Sequence, residues 1–129
     1  MDPQDLRYHE EHTWASAEDD TVLIGITDYA QDQLGDVVFV ELPEVGEEIR
    51  QGQPFGVIES VKAVNDLYAP MSGEVVEVNS DLEDTPELVN EDPFGKGWIA
   101  KIKADDRGEV DSLMTYDGYQ TYIKEEAEG

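Results

Sequence analysis

A β-rich domain with a helical C-terminal segment is the fold class that the sequence predicts, on three observations. Short β-branched and aliphatic runs recur between turn residues, as strands and tight turns require. Two of them, Phe55–Ser60 and Gly73–Val78, share the order glycine, aliphatic pair, glutamate, with Gly56 and Gly73 17 residues apart. Such an echo is expected of a sandwich built from two similar β-halves. No proline-rich or low-complexity tract divides the 129 residues, a length that buries about two thirds of its unfolded surface and suits one core.

Tyr8 to Ala15, with a tyrosine and a tryptophan, reads as a first strand, pairing with Thr21–Ile26 across an acidic turn at Asp19-Asp20. Thr27 is placed as an N-cap, Asp28 suits a first helical turn and Gly35 a C′ position, so residues 28–34 read as a short helix. Val37–Val40 is a strand of the buried type, stopped before Pro43. A hairpin at about 54–79 follows, in which Val64–Ala69 returns as a strand and Pro70–Gly73 turns. Pro86 suits the first position of a helix, Trp98–Lys103 alternates as a strand, and about 109–127 reads as one or two amphipathic helices. Trp14, Phe39 and Trp98 are expected in the core.

Thirty-two acidic residues against eight basic ones leave a formal net charge of −24, spread from Asp2 to Glu128. A surface of this kind repels nucleic acid and anionic membranes. It suits either a salt-rich cytoplasm, where self-repulsion is screened, or basic partners; the dispersal of the acids and the five lysines favour salt adaptation. No apolar run is long enough to span a membrane, and Met1–Leu6 has no signal-peptide pattern, so the expected setting is the cytoplasm. The absence of cysteine excludes disulfides and thiolate metal sites. His9 and His12 are expected at the surface or in packing rather than as ligands, and no metal site is expected. No nucleophile–base arrangement suggests an active site of the chain's own.

The turn between the two echoing runs places Lys62 at or next to a hairpin tip. An amine there is exposed yet fixed in direction by two strands. Acylated by a long acid, it would carry a reactive head about a dozen Å from the backbone (from standard bond lengths). Such an arm visits several active sites at high effective concentration. Spacing alone leaves an ordinary solvated turn lysine as the alternative.

The run Gly56-Val57-Ile58-Glu59-Ser60-Val61-Lys62-Ala63, continuing to Val75, closely resembles the lipoyl attachment region of the glycine cleavage system H-protein family. Gly25–Gln31 and Leu34–Pro43 resemble that family's upstream segment, and Pro86–Asn90 with Pro93 and Gly97-Trp98-Ile99 its downstream one, so the likeness runs from about Tyr8 to about Ile123. Val61 replaces the aspartate usual before the lysine in lipoyl domains of 2-oxoacid dehydrogenase complexes, and the methionines flanking a biotinyl lysine are absent.

The resemblance implies a barrel-sandwich hybrid with short helices, formed by residues 1–129 as one lipoyl-carrier domain. It implies lipoic acid in amide linkage to Lys62, attached by a lipoate-attaching enzyme. It further implies a non-catalytic carrier that takes an aminomethyl group from a pyridoxal-phosphate glycine decarboxylase to a tetrahydrofolate-dependent aminomethyltransferase. The arm is then reoxidised by a flavin-dependent dihydrolipoamide dehydrogenase. In the family a cleft shelters the loaded arm, and acids near the N-terminal strand and after the lysine hold its amine. Asp66 matches the second position. At the first, this chain has Thr13 between His12 and Trp14 where the family commonly has Glu, with Glu11 close by. Two alternatives are a lipoyl domain of a 2-oxoacid dehydrogenase complex and an unmodified H-like binding module; the helical C-terminus and the intact Glu59–Ala63 core oppose them respectively.

Overall fold

The computed structural model describes residues 2–18 and 20–128, with the side chains of 127 and 128 excepted; Asp19, half of the predicted acidic turn, lies outside the described residues. The strands are β1 (Arg7–Tyr8), β2 (Thr13–Glu18), β3 (Thr21–Ile26), β4 (Val37–Glu41), β5 (Glu48–Ile49), β6 (Pro54–Ser60), β7 (Val64–Tyr68), β8 (Gly73–Val78) and β9 (Ala100–Ala104). They form a six-stranded sheet, β1-β2-β3-β9-β8-β5, and a three-stranded sheet, β4-β6-β7. The two echoing runs fall one in each sheet, as β6 and β8. Helices α1 (Asp28–Leu34), α2 (Asp81–Asp84), α3 (Leu88–Glu91) and α4 (Tyr116–Glu128) complete the described fold, with short 3-10 turns at Pro3–Asp5 and Arg107–Ser112. The architecture is mainly β with a helical C-terminus, as the sequence predicts, and its two sheets with short helices form the barrel-sandwich hybrid that the resemblance implies.

One core lies between the sheets. Val22, Ile24 and Ile102 of the larger sheet pack in one buried cluster with Val37, Val40, Ile58 and Leu67 of the smaller. A second cluster, Leu6, Tyr8, Trp14 and Tyr119, attaches α4 to the larger sheet, with the Tyr8 and Tyr119 rings stacked at 4.6 Å. Trp14 is fully buried and its Nε1 donates to the Pro93 carbonyl at 3.0 Å. Its indole needs Gly25 across the β2–β3 ladder: a Cβ there would sit 2.6 Å from Trp14 Cζ2.

Four expectations need correction. The segment 8–15 is not one strand: β1 ends at Tyr8, and a polar turn through His12 (φ 69°) precedes β2. Instead of running on into β2, Tyr8 exchanges two backbone hydrogen bonds with Met114. Helix α3 begins at Leu88, after a turn containing Pro86. Residues 109–114 form part of a 3-10 turn and its exit in place of a regular helix. Finally, β4 is not buried throughout and Phe39 is not core. A register shift pairs Val37 with Ser60 but Phe39 with Glu59, leaving Val38 53% and Phe39 49% exposed while Val37 and Val40 face the core. Trp98 is half-buried against the second cluster. No helix among the described residues is long and apolar enough to cross a membrane.

Candidate functional site

Lys62 is exposed at the tip of the β6–β7 hairpin. The tip is fixed by its own backbone and one hydroxyl. Ser60 N–H donates to the Ala63 carbonyl at 2.8 Å, and Ser60 Oγ accepts from Lys62 N–H at 3.1 Å and Ala63 N–H at 3.2 Å. Serine therefore does here what Ser and Asx side chains do in turns generally: it satisfies N–H groups that a two-strand ladder leaves unpaired.

A second tether ties the tip to the loop after α1, where Val61 N–H donates to the Asp36 carbonyl at 3.0 Å. Helix α1 starts as predicted, with Thr27 Oγ1 accepting from Ala30 N–H, and closes on Gly35 at φ 77° and ψ −158°. The Lys62 stem lies over this glycine: a Cβ at Gly35 would meet Lys62 Cε at 3.2 Å. Asn90, in α3, holds the loop from below. Its Nδ2 donates to the Gly35 carbonyl at 2.8 Å and to Gln31 Oε1 at 3.0 Å, and its Oδ1 accepts from Val37 N–H at 2.8 Å. The positioning role of Asn90 is legible only in three dimensions.

Beside the tip opens a cleft of about 600 Å³, bordered by Ala63 and the following strand on one side and by the 11–13 turn and α1 on the other. Glu11, Thr13 and Asp66 all border it. Their situations differ. Thr13 is buried and its hydroxyl donates to the Tyr68 carbonyl at 2.9 Å, so it joins β2 to the end of β7. Glu11 is exposed. Asp66 pairs with Val57, which pairs with Glu41, and directly paired residues share a sheet face. Asp66 thus stands at the rim, between the cleft and an outer groove that includes Glu41, while Asn65 shares a face with Ile58, itself part of the cleft wall.

Sequence reasoning missed the back wall. His12 borders the cleft with Tyr29, Gln33 and Glu126. His12 Nε2 lies 3.0 Å from Glu126 Oε2 and Nδ1 2.8 Å from the Tyr119 hydroxyl, which is 2.7 Å from Thr27 Oγ1. The C-terminal helix is thereby fastened to the cap of α1. Burial, with the nearby Glu126 carboxylate adding to it, pushes the Tyr119 phenol well above its ordinary range, although the bond to Thr27 opposes the shift. A lone histidine and a distant glutamate carry no sequence signal for such a pairing. Burial also lowers the His9 imidazole against the opposing pull of Glu10 and Glu11. Among the described residues, no group of three or more His, Cys, Asp or Glu is arranged to hold a metal ion.

A barrel-sandwich hybrid presenting one lysine on a hydrogen-bonded hairpin tip, next to a cleft of mixed polar and apolar lining, defines a domain with the layout of a swinging-arm carrier. The family model described as "Glycine cleavage H-protein" matches residues 6–126. The chain is 57% identical over 124 residues to the glycine cleavage system H protein of Bacillus licheniformis, covering 96% of this chain and 98% of the relative. It is 61% identical over 121 residues to the probable glycine cleavage system H protein of Natronomonas pharaonis, covering 94% and 95%. The crystal structure of a glycine cleavage system H protein from Mycobacterium marinum superposes with a TM-score of 0.84 at 39% identity, over 98% of this chain and 99% of that one. The chain belongs to the glycine cleavage H-protein family.

Proposed function

We infer that this chain is the lipoyl-bearing carrier of a glycine cleavage system, with lipoic acid in amide linkage to Lys62, acting over residues 1–129 as one domain in the cytoplasm. It receives the aminomethyl group at glycine decarboxylase, delivers it to aminomethyltransferase, and passes electrons to dihydrolipoamide dehydrogenase, after a lipoate-attaching enzyme has loaded it. The observation that carries this reading is Lys62 itself, an exposed amine on a tip held by Ser60 and Asp36 beside a 600 Å³ cleft. Bound, the lipoyl group supplies a redox-active sulfur pair that can carry a one-carbon unit. The chain's own residues orient it: the Ser60 turn aims Lys62, and Gly35 leaves room for the stem. A chain without thiols cannot trap a dithiol in mixed disulfides.

Glu11 and Asp66 are the carboxylates we assign to the amine of the loaded arm at the mouth of the cleft; Thr13, with its hydroxyl bonded to Tyr68, supplies shape rather than charge. Asp66→Asn should shorten the lifetime of the methylamine-loaded protein, and an unchanged hydrolysis rate would remove Asp66 from that role. A salt-rich cytoplasm remains our reading of the −24 charge. The decisive experiment is intact-protein and peptide mass spectrometry after expression with lipoate. A lipoyl mass on the Lys62 peptide, absent in Lys62→Arg, is expected; a fully competent protein without any modification would overturn the reading.

A further inference from the structure

In a chain this acidic, large apolar side chains left in solvent are conspicuous. Among the described residues, the exposed ones are Val38, Phe39, Val45, Val61, Val64 and Val76. Four of the six gather around Lys62. Val61 precedes it, Val64 follows on β7, and Phe39 and Val64 both pair with Glu59 across the small sheet, in one row on one face. Val38 adjoins that row.

The exposure has a specific backbone cause. A regular strand alternates its faces, so Val37 and Val40 could not both face the core. The register shift between Val37 and Phe39 places both in the core and leaves the two residues between them outside. Bulges of this kind re-aim side chains, particularly at sheet edges and next to sites. β4 is an edge strand, and an interrupted edge is a poor template for adding another strand. Contact with this face would therefore run through side chains.

We propose that Val38, Phe39, Val61 and Val64 form an apolar collar on which the enzyme that acylates Lys62 docks. The proposal rests on the reading of Lys62 as the attachment residue. It commits to this occupant because of reach. A bare lysine amine extends only about 6 Å beyond its Cα (from standard bond lengths). An enzyme that forms the amide must bring its active site down onto the tip and cover the residues one strand away. Once loaded, the arm reaches about twice as far, and later enzymes can work from beyond the collar. The complementary face is apolar with one basic group opposite Glu59, since Glu59 sits between Phe39 and Val64 in the row. The step is an acyl transfer from an activated acyl donor. The C–N bond to Nζ forms, the bond from the acyl carbon to its leaving group breaks, and a proton from Nζ goes to solvent.

The test is steady-state lipoylation of the full-length apo-protein by a purified lipoate-attaching enzyme with ATP and lipoate. Val38→Thr/Phe39→Gln should lower kcat/KM at least tenfold, carried by KM, with the melting temperature unchanged. Val64→Thr, on another strand, should fall in the same direction, so the proposal stays testable should the double variant fold poorly. Val45→Thr and Val76→Thr, exposed elsewhere, should stay within twofold. Val38→Thr/Phe39→Gln loaded to completion by prolonged incubation should serve the three cleavage enzymes normally. Unchanged lipoylation kinetics in the collar variants would overturn the proposal. So would a defect seen only at glycine decarboxylase, or only in self-association by sedimentation. If wild-type chain itself accepts no lipoyl group, the attachment reading fails, and the proposal with it.

Discussion

Replacing Gly35 with alanine would put a methyl group at the point where α1 ends and the Lys62 stem lies. The backbone there has φ 77° and ψ −158°, a region that residues with a Cβ essentially never occupy, at a cost of about 1–3 kcal/mol. The new Cβ would also lie 3.2 Å from Lys62 Cε. Because Lys62 is exposed and flexible, it can move aside, adding at most a few tenths of a kcal/mol. The loss should therefore be backbone strain, about 1–3 kcal/mol, or roughly 4–12 °C in melting temperature at about 4 °C per kcal/mol for a chain of this length. Thermal unfolding by circular dichroism would measure it. Gly46→Ala, at φ 96° with nothing within 4 Å of the added Cβ, serves as a control for positive φ without a neighbouring side chain. In a double-mutant cycle with Lys62→Ala the coupling should be under about 0.5 kcal/mol. A Gly35→Ala protein that melts within 1 °C of the parent would refute the loop conformation. A coupling above about 1 kcal/mol would refute the view that the stem is free to leave.

Asn90→Ala removes the acceptor of Val37 N–H and the donor to the Gly35 carbonyl; at about 1–3 kcal/mol per stranded buried group, clear destabilisation is expected. Faster hydrogen exchange at Val37 and at Val61, one loop away, would report it. Tyr8 and Tyr119 have phenols raised by burial. The folded state therefore holds their protons more tightly than the unfolded state. Stability from this source is intact below the unfolded tyrosine pKa of about 10 and lost as pH rises beyond it. Absorbance at 295 nm should show at least two of the six tyrosines, Tyr8 and Tyr119, ionising late, together with unfolding, Tyr122 being raised as well; smooth titration of all six would contradict this. Finally, the −24 charge predicts a melting temperature that rises with KCl, and a fall would count against a salt-adapted surface.

Most strands were legible because turn residues and β-branched runs mark them directly. The α1 boundaries followed from a threonine cap and a glycine stop, both local chemistry. The Lys62 tip was legible because strand-like runs stand on either side of it, with the Pro70–Gly73 turn closing the second. The bulge in β4 was not. Val37-Val38-Phe39-Val40 reads as a buried strand, and an inserted register step leaves no compositional mark. Nor was the turn at His12, where a residue other than glycine adopts positive φ and the ring meets Tyr119 and Glu126, both distant in sequence. Thr13 looked like a missing carboxylate. Its hydroxyl instead joins two strands across the cleft wall, a role that depends on where the Tyr68 carbonyl points.

For an arm carried on Lys62, the hydrogen bonds of the Ser60 turn would also govern how fast it finds its targets. With the pivot fixed, a tether of about 12 Å explores roughly a half-sphere, equivalent to a local concentration on the order of 0.5 M. Were the tip itself to wander another 5 Å or so, that figure would fall about threefold. Because the pivot is held by hydroxyl and backbone hydrogen bonds rather than by ion pairs, this search volume should stay constant across ionic strengths that shift the stability of the rest of the chain.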